Sequence, residues 1–235
     1  MSLPPDLFDT QTIVSLLGTV AIVATAWIAS HRVLAASSSG ATRFLFIWHL
    51  GDALCHFIIE GSYLYHCFVS SAVPVPGREY YPTPHNYLWR GDEGSRVWGP
   101  QAGGSNAFAQ MWMVYARADR RWAGADVGVI SLELLTVLFD GPLACYVCYL
   151  LSKQDARANI WMIVLATAEL YGGFMTFCPE WLTGNTNLDG SNFMYMWVYL
   201  VFFNMLWVFI PLYVIWHSYY NITGAFAVLS AKKKL

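Results

Sequence analysis

The chain has 235 residues, of which 57% are hydrophobic and only 12% are charged. Soluble domains carry about 25% charged residues, so this composition argues against a soluble protein and for residence in a membrane. The formal net charge of -2 gives no basis for the strongly basic surface that nucleic-acid-binding proteins use. We therefore expect an integral membrane protein with membrane lipid around it and no nucleic-acid partner.

Five apolar runs are long enough to cross a bilayer as helices. They cover residues 13–30, 44–69, 127–151, 160–177 and 193–217. The predicted fold is all-α, a bundle of five transmembrane helices with an intramembrane cavity. The connections are short except for residues 70–126, which are rich in Pro and Gly and form a long loop, predicted to be lumenal, between helices 2 and 3. Loops of this length in compact proteins are usually functional or disordered.

The second half of that loop, residues 111–126, is predicted to form an aromatic and basic helix at the membrane interface. In this arrangement Arg117, Arg120 and Arg121 face the lipid headgroups.

The Lys and Arg residues of the short loops predict the orientation of the chain. One side carries Arg32, Arg43, Lys153, Arg157 and the lysines at 232–234, whereas residues 179–192 and the N-terminal tail carry none. The C-terminus is therefore expected in the cytoplasm and the N-terminus in the lumen. Residues 232–235 then match the KKxx pattern, a receptor-read address. We expect a multi-pass protein of the endoplasmic reticulum membrane.

Asp52, His56 and Glu60 are spaced four residues apart in the second predicted helix, so their side chains share one face. An ionisable group at membrane depth is costly and usually faces the interior of a bundle, where it serves a site. Three such groups on one face indicate a site for proton transfer.

The later helices carry polar residues that can face the same cavity. They are Glu133, Thr136 and Asp140 in the third helix, Glu169 and Tyr171 in the fourth, and Asn204 and Trp207 in the fifth. A proton donor, a proton acceptor and aromatic walls that stabilise a carbocation suit the isomerisation or cyclisation of an alkene in a lipid-soluble substrate. Three alternatives stay open: interhelical hydrogen bonding by Asn204, a position of Asp52 near the membrane surface, and a metal site formed by His56, Glu60 and Glu133.

The motifs around these residues resemble the emopamil-binding protein family, whose members carry the EXPERA domain. Residues 48–61, WHLGDALCHFIIEG, resemble its second helix, and residues 111–121, MWMVYARADRR, are similar to its LWKEYAxxDSR loop. Three further stretches resemble the last three helices of the family. They are ELLT at 133–136 with Gly141-Pro142, ELYG at 169–172, and residues 195–211. The resemblance covers residues 44–218 in order, with an insertion at about 70–110.

This resemblance implies a five-helix protein of the endoplasmic reticulum that isomerises a sterol from Δ8 to Δ7. Protonation of the double bond gives a carbocation, and loss of a neighbouring proton shifts the alkene. The resemblance assigns seven site residues. They are His56, Glu60 and Glu133 as the acid–base set, Thr136 and Asn204 as its hydrogen-bonding supports, Trp207 facing the cation, and Tyr115 capping the cavity. It implies no cofactor and no metal, and homodimers are common in the family.

Three carboxylates depart from the family pattern and are additional site candidates. Asp52 occupies a small or apolar position, Asp140 stands in place of Trp, and Glu169 replaces a neutral Gln. Because they change the charge of the site, a second hypothesis is an isomerase or cyclase of another polycyclic terpenoid in specialised metabolism. A third is a sterol- or amine-binding protein without catalysis.

The predicted domain organisation has three parts. Residues 1–43 contain the N-terminal tail, the first transmembrane helix and a connecting loop. Residues 44–218 form an EXPERA-like transmembrane domain, and residues 219–235 form a cytoplasmic basic tail.

Overall fold

The computed structural model describes residues 10–91 and 94–233. In this part of the chain, six helices follow one another. They are α1 (Thr10–Val33), α2 (Gly40–Val69), α3 (Ala107–Tyr115), α4 (Val127–Ser152), α5 (Ala158–Leu182) and α6 (Met194–Lys232). All except the short α3 are long and apolar enough to cross a membrane. The predicted all-α bundle of five transmembrane helices is confirmed, whereas its intramembrane cavity stays a prediction.

The last helix continues well beyond its predicted end at residue 217 and reaches Lys232. Residues 219–232 therefore belong to α6, because this stretch contains no proline to interrupt the helix. The N-terminal residues 1–9 and the last two residues of the KKxx pattern lie outside the described residues.

Three of the long helices contain a π-helical segment, a feature that is often found at functional sites. These segments are Cys55–Glu60 in α2, Thr136–Asp140 in α4 and Met194–Phe202 in α6. The first two pack against each other. Gly141 permits this close approach, because a Cβ atom there would lie 3.0 Å from the Phe57 ring and 3.3 Å from Cβ of His56. Gly141 thus allows the polar residues of α2 and α4 to come together.

The long connection between α2 and α4 has its own structure and packs on the end of the bundle. Strand β1 (Ser71–Ala72) pairs antiparallel with β2 (Val97–Trp98), with Ser71 opposite Trp98. The rings of Trp112 and Trp122 stack with centroids 4.7 Å apart, and Tyr63 of α2 lies 5.0 Å from Trp122. These aromatic contacts fix the connection against α2.

The prediction of one interfacial helix over residues 111–126 is wrong. Helix α3 ends at Tyr115 and is followed by a 3₁₀ turn at Arg120–Ala123. Arg121 is buried and donates two hydrogen bonds to the carboxylate of Asp119, at 2.9 and 2.6 Å, so it does not face the headgroups. Arg120, by contrast, is exposed.

The basic connections that predict the orientation come together at the opposite end of the bundle. Residues Ser37, Thr42, Gln154 and Asn221 surround one polar depression there. The Asn221 side chain donates to Asn159 Oδ1 at 3.0 Å, which joins α6 to the start of α5. The charge bias is therefore a property of one end of the molecule, and which side of the membrane that end faces stays a prediction.

Candidate active site

His56 lies at the centre of a buried polar cluster between α2 and α4. Its Nδ1 atom is 2.6 Å from Glu60 Oε2, and its Nε2 atom is 3.1 Å from Asp52 Oδ1. Only 2% of His56 and 2% of Asp52 is exposed. The three ionisable residues therefore do share one helix face, and each ring nitrogen faces a carboxylate oxygen.

Thr136 connects the carboxyl groups of α2 and α4. Its hydroxyl donates to Glu60 Oε2 at 2.5 Å and lies 3.5 Å from Glu133 Oε2. Glu133 is buried, with 7% of its surface exposed. His56, Glu60, Thr136 and Glu133 thus form one continuous series of polar contacts, which is the geometry that general acid–base chemistry requires.

The three carboxylates that depart from the family pattern, Asp52, Asp140 and Glu169, lie near one another, and Asp52 faces the Nε2 atom of His56. The indole N–H of Trp207 donates to Asp52 Oδ1 at 2.9 Å. Asp140 and Glu169 are buried, and both interact electrostatically with Asp52 and His56. α4, α5 and α6 therefore each contribute a polar side chain to the neighbourhood of Asp52.

His49 is a member of this cluster that the sequence reasoning missed. It is fully buried in α2, three residues before Asp52, and Asp52 is its charged neighbour. Within the described part of the chain, neither of its ring nitrogens has a hydrogen-bond partner. The spacing of His49, Asp52, His56 and Glu60 follows one helix face, so the same periodicity extended by one turn would have found it.

Asn204 has different partners from those predicted for it. Its amide donates to the Tyr115 hydroxyl at 3.2 Å and to the carbonyl groups of Tyr199 and Leu200 at 2.9 and 3.0 Å. A hydrogen bond to the acid–base set is not among these contacts. Asn204 instead joins α6 to the end of α3.

Tyr115 lies where α3, α6 and the long connection meet, with its ring 5.7 Å from that of Trp122. Burial, reinforced by the negative charge of Asp119, raises the pKa of Tyr115, so its hydroxyl stays protonated at neutral pH.

Tyr171 of α5 is 60% exposed, and the interpretation that it faces the same site as Glu169 is wrong.

The metal-site alternative gains no support from the arrangement of the side chains. Among the described residues, no group of three or more His, Cys, Asp or Glu side chains is placed to hold a metal ion.

Comparison with known proteins agrees with the family resemblance. Residues 107–218 match the model of the family described as EXPERA (EXPanded EBP superfamily). The 3-beta-hydroxysteroid-Delta(8),Delta(7)-isomerase of Cavia porcellus is 25% identical over 230 residues, which cover 97% of this chain and 87% of that protein. A probable isomerase of the same name from Oryza sativa subsp. japonica is 24% identical over 237 residues, or 98% and 91% of the two chains.

A relative with another name matches a shorter part of the chain. Isomeliandiol synthase of Melia azedarach is 30% identical over 106 residues, which cover 45% of this chain and 49% of that protein. The family model over residues 107–218 and the relatives that align over nearly the whole chain together confirm the resemblance to the EXPERA family, the expanded EBP superfamily.

Proposed function

We propose that the protein is a membrane-embedded isomerase that shifts the Δ8 double bond of a sterol to Δ7. The observation that carries the proposal is the series of contacts from His56 through Glu60 and Thr136 to Glu133 within two membrane-spanning helices, with His56 and Glu133 buried at its ends. Relatives named for this reaction, aligned over nearly the whole chain, support the sterol as substrate.

The proposed chemistry is a proton gain followed by a proton loss. A carboxylic acid of the Glu60–Glu133 pair protonates C9, and the electron pair of the C8=C9 bond forms the new C–H bond, which leaves a cation at C8. A base of the same set removes a proton from C7, and that C–H electron pair becomes the C7=C8 bond. The reaction involves no net oxidation or reduction, so acid–base groups suffice and no cofactor is needed.

Trp207 is proposed to stabilise the cation with the face of its indole ring. Its N–H is held by Asp52, and its ring centroid lies 5.4 Å from that of Trp48, so the ring is fixed in one orientation. Tyr115 and Asn204 are proposed to close the substrate site from the end of α3. The proposed location is the endoplasmic reticulum membrane, with the C-terminus in the cytoplasm.

A second candidate function is the isomerisation or cyclisation of another polycyclic terpenoid. Asp52, Asp140 and Glu169 favour it, because they add carboxyl groups that can accept a proton at a greater distance from the point of protonation. The similarity to a relative named isomeliandiol synthase is consistent with a product other than a Δ7-sterol. Binding of a sterol or an amine without catalysis is the third candidate.

Turnover in heavy water tests the first candidate. Microsomes that contain the protein are supplied with a Δ8-sterol in deuterated water, with a known active family member as the positive control. We expect a Δ7-sterol that carries deuterium at C9. If the positive control converts the sterol and this protein does not, the sterol proposal is wrong. Conversion of a polycyclic terpenoid under the same conditions would then favour the second candidate, and saturable binding alone would favour the third.

A further inference from the structure

His56 is in contact with carboxylates on both of its ring nitrogens. Glu60 lies on the Nδ1 side at 2.6 Å, and Asp52 lies on the Nε2 side at 3.1 Å. The proposed isomerisation uses only the Glu60 side, which leads through Thr136 to Glu133. The Asp52 side is more deeply buried, and in that chemistry it only holds the indole of Trp207 and transfers no proton.

The Asp52 side is a second acid–base group of its own. It comprises His49 and Asp52 from α2 and Glu169 from α5, with 0%, 2% and 6% of their surfaces exposed. Asp52 is the charged neighbour of both His49 and Glu169. These residues come from two helices, so helix periodicity alone does not account for their proximity.

Several polar atoms of this second group lack a hydrogen-bond partner among residues 10–91 and 94–233. They are both ring nitrogens of His49, and the Nε2 atom of His56 that faces this group likewise has no hydrogen bond. Oδ2 of Asp52 and both carboxyl oxygens of Glu169 have no donor while both acids are ionised, but the two carboxyl groups can share a hydrogen bond once one of them is protonated. A buried polar group without a partner is costly and is rare in a purely structural network. Such atoms are available to take up and release a proton.

The geometry points to a proton path that runs through the imidazole of His56. We propose that His56 passes protons between the Glu60–Glu133 pair on one side and the Asp52–Glu169 pair with His49 on the other. In this path Asp52 and Glu169 are positioning and proton-storing residues, because they act through His56. The proposal rests on the proposed acid–base role of His56 and extends it to a second group of residues.

Each transfer conserves protons and charge. Glu60 in its acid form gives its proton to Nδ1 of a neutral imidazole that carries hydrogen on Nε2. The imidazole then releases the Nε2 proton to the Asp52 carboxylate. Glu60 ends as a carboxylate, Asp52 ends as an acid, and the imidazole has changed tautomer. The reverse sequence returns the proton, so the acid that protonates the substrate can be restored without water entering from the Glu60 side.

Hydrogen–deuterium exchange of the buried carboxyl groups tests this path without any substrate. The full chain in lipid nanodiscs is transferred rapidly to deuterated water, and the C=O bands of protonated carboxyl groups are followed by infrared spectroscopy. Bands are assigned with Asp52→Asn, Glu169→Gln and Glu60→Gln. Because one path connects both groups, we expect all these bands to shift at a single rate in the wild-type protein.

His56→Gln is the decisive variant, since an amide can contact both carboxyl groups but does not relay protons. We expect the two sets of bands to separate in exchange rate by about tenfold or more, a difference of about 1.4 kcal/mol in barrier. His217→Gln, at the far end of α6, is the matched control and should keep the single rate. Two rates in the wild-type protein, or one rate in His56→Gln, would overturn the proposal.

The wild-type measurement decides the matter even if His56→Gln does not fold. Turnover of a Δ8-sterol is measured on the same samples and separates the two proposals. A single wild-type exchange rate with no sterol turnover supports the path and rejects the sterol substrate. Sterol turnover with two wild-type exchange rates supports the substrate and rejects the path.

Discussion

Two clusters of buried ionisable residues, one around Arg121 and one around His56, differ in how completely their polar atoms are paired. Arg121 donates to both oxygens of Asp119 and to the Thr176 carbonyl at 2.6 Å. It also lies 3.6 Å from Glu180, whose carboxylate accepts two hydrogen bonds from Asn187 at 3.0 and 2.8 Å. Opposite charges are adjacent throughout this cluster.

The His56 cluster has an excess of carboxyl groups and leaves some of its atoms unpaired. Two histidines are surrounded by five carboxyl groups, those of Asp52, Glu60, Glu133, Asp140 and Glu169, and in the described residues the ion pairs of Asp52 and Glu60 are with His56. One oxygen each of Asp52 and Asp140 and both oxygens of Glu169 have no hydrogen-bond partner within that part of the chain.

The difference separates a structural network from a candidate reaction site. A fully paired buried cluster specifies how segments fit together, and here Arg121 joins the long connection to α5. An incompletely paired cluster of acids in membrane-spanning helices is costly for stability, and a cost of this kind is expected at a site that transfers protons. The two clusters should therefore respond in opposite ways to substitution.

The largest expected effect is the loss of turnover in Glu133→Gln. The amide preserves the size of the side chain and its proximity to Thr136 but cannot exchange the proton. We expect kcat for a Δ8-sterol to fall by about 10²- to 10⁴-fold, the usual contribution of general acid–base catalysis, with little change in unfolding temperature. Turnover in microsomes and thermal unfolding in detergent measure the two quantities.

Glu79→Gln is the matched control, because the side chain of Glu79 is 91% exposed and its ion pair with Arg120 is 3.7 Å long. It should retain wild-type turnover. Near-normal turnover in Glu133→Gln would remove Glu133 from the proposed site.

Arg121→Met should have the opposite profile, with a large loss of stability. Burial raises the pKa of Asp119 even though Arg121 opposes this, so without the guanidinium the buried carboxylate is left without its counter-charge. Breaking a buried pair from one side typically costs about 3–5 kcal/mol. We expect a loss of this size in the free energy of unfolding, measured by denaturant titration in detergent.

Arg120→Met provides the comparison, since its side chain is 54% exposed. Exposed ion pairs contribute about 0–1 kcal/mol, so this variant should unfold almost as the wild type does. Equal stability of the two variants would mean that burial of Arg121 does not have the structural role assigned to it.

The sequence predicts those parts of the two clusters that depend on local periodicity. The five spans follow from the length of the apolar runs, and the common face of Asp52, His56 and Glu60 follows from helix geometry. Helix spacing also put Thr136 and Glu133 on one face of the third predicted helix, and in the structure the Thr136 hydroxyl lies 2.5 Å from Glu60 and 3.5 Å from Glu133.

The rest depends on contacts between distant segments, which periodicity does not encode. Arg121 has a basic side chain in a polar loop, and only the approach of Thr176 and Glu180 from α5 makes it a buried residue. The hydrogen-bond partner of Asn204 likewise depends on another segment, because the Tyr115 hydroxyl that accepts from its amide lies at the end of α3. Neither outcome could be read from residue spacing.

Gly141→Ala should have an intermediate effect that falls on the His56 cluster. The added Cβ would lie 3.0 Å from the Phe57 ring and 3.3 Å from Cβ of His56, so α2 and α4 must separate slightly. Overpacking costs about 1–3 kcal/mol, and the better helix propensity of Ala returns up to about 1 kcal/mol of this. We expect a net loss of up to about 2 kcal/mol in unfolding free energy together with reduced sterol turnover.

Gly173→Ala in α5 is the control, because no atom lies within 4 Å of the position that its Cβ would take. It should be as stable as the wild type or slightly more stable. If Gly141→Ala behaves in the same way, close packing at this glycine does not position His56.

The smallest effect is expected for Tyr81→Phe, which removes one hydrogen bond near the paired cluster. The Tyr81 hydroxyl donates to Asp126 Oδ2 at 2.6 Å, and the other oxygen of Asp126 accepts from the Val129 N–H at the start of α4. Loss of one such bond costs about 0.5–1.5 kcal/mol. Tyr80→Phe, which loses a 3.3 Å bond from an exposed backbone N–H, should change stability less.

The pH dependence of this effect has a definite sign. Burial, together with the hydrogen bond to Asp126, raises the pKa of Tyr81 above its ordinary value. The stabilisation is therefore fully present below about pH 10, where the unfolded phenol is still protonated, and is lost as the pH rises towards the higher folded value. The difference in unfolding free energy between wild type and Tyr81→Phe should accordingly be constant up to about pH 9 and shrink only above about pH 10. A difference that already shrinks below neutral pH would show that ionisation of the Tyr81 phenol does not control this contact.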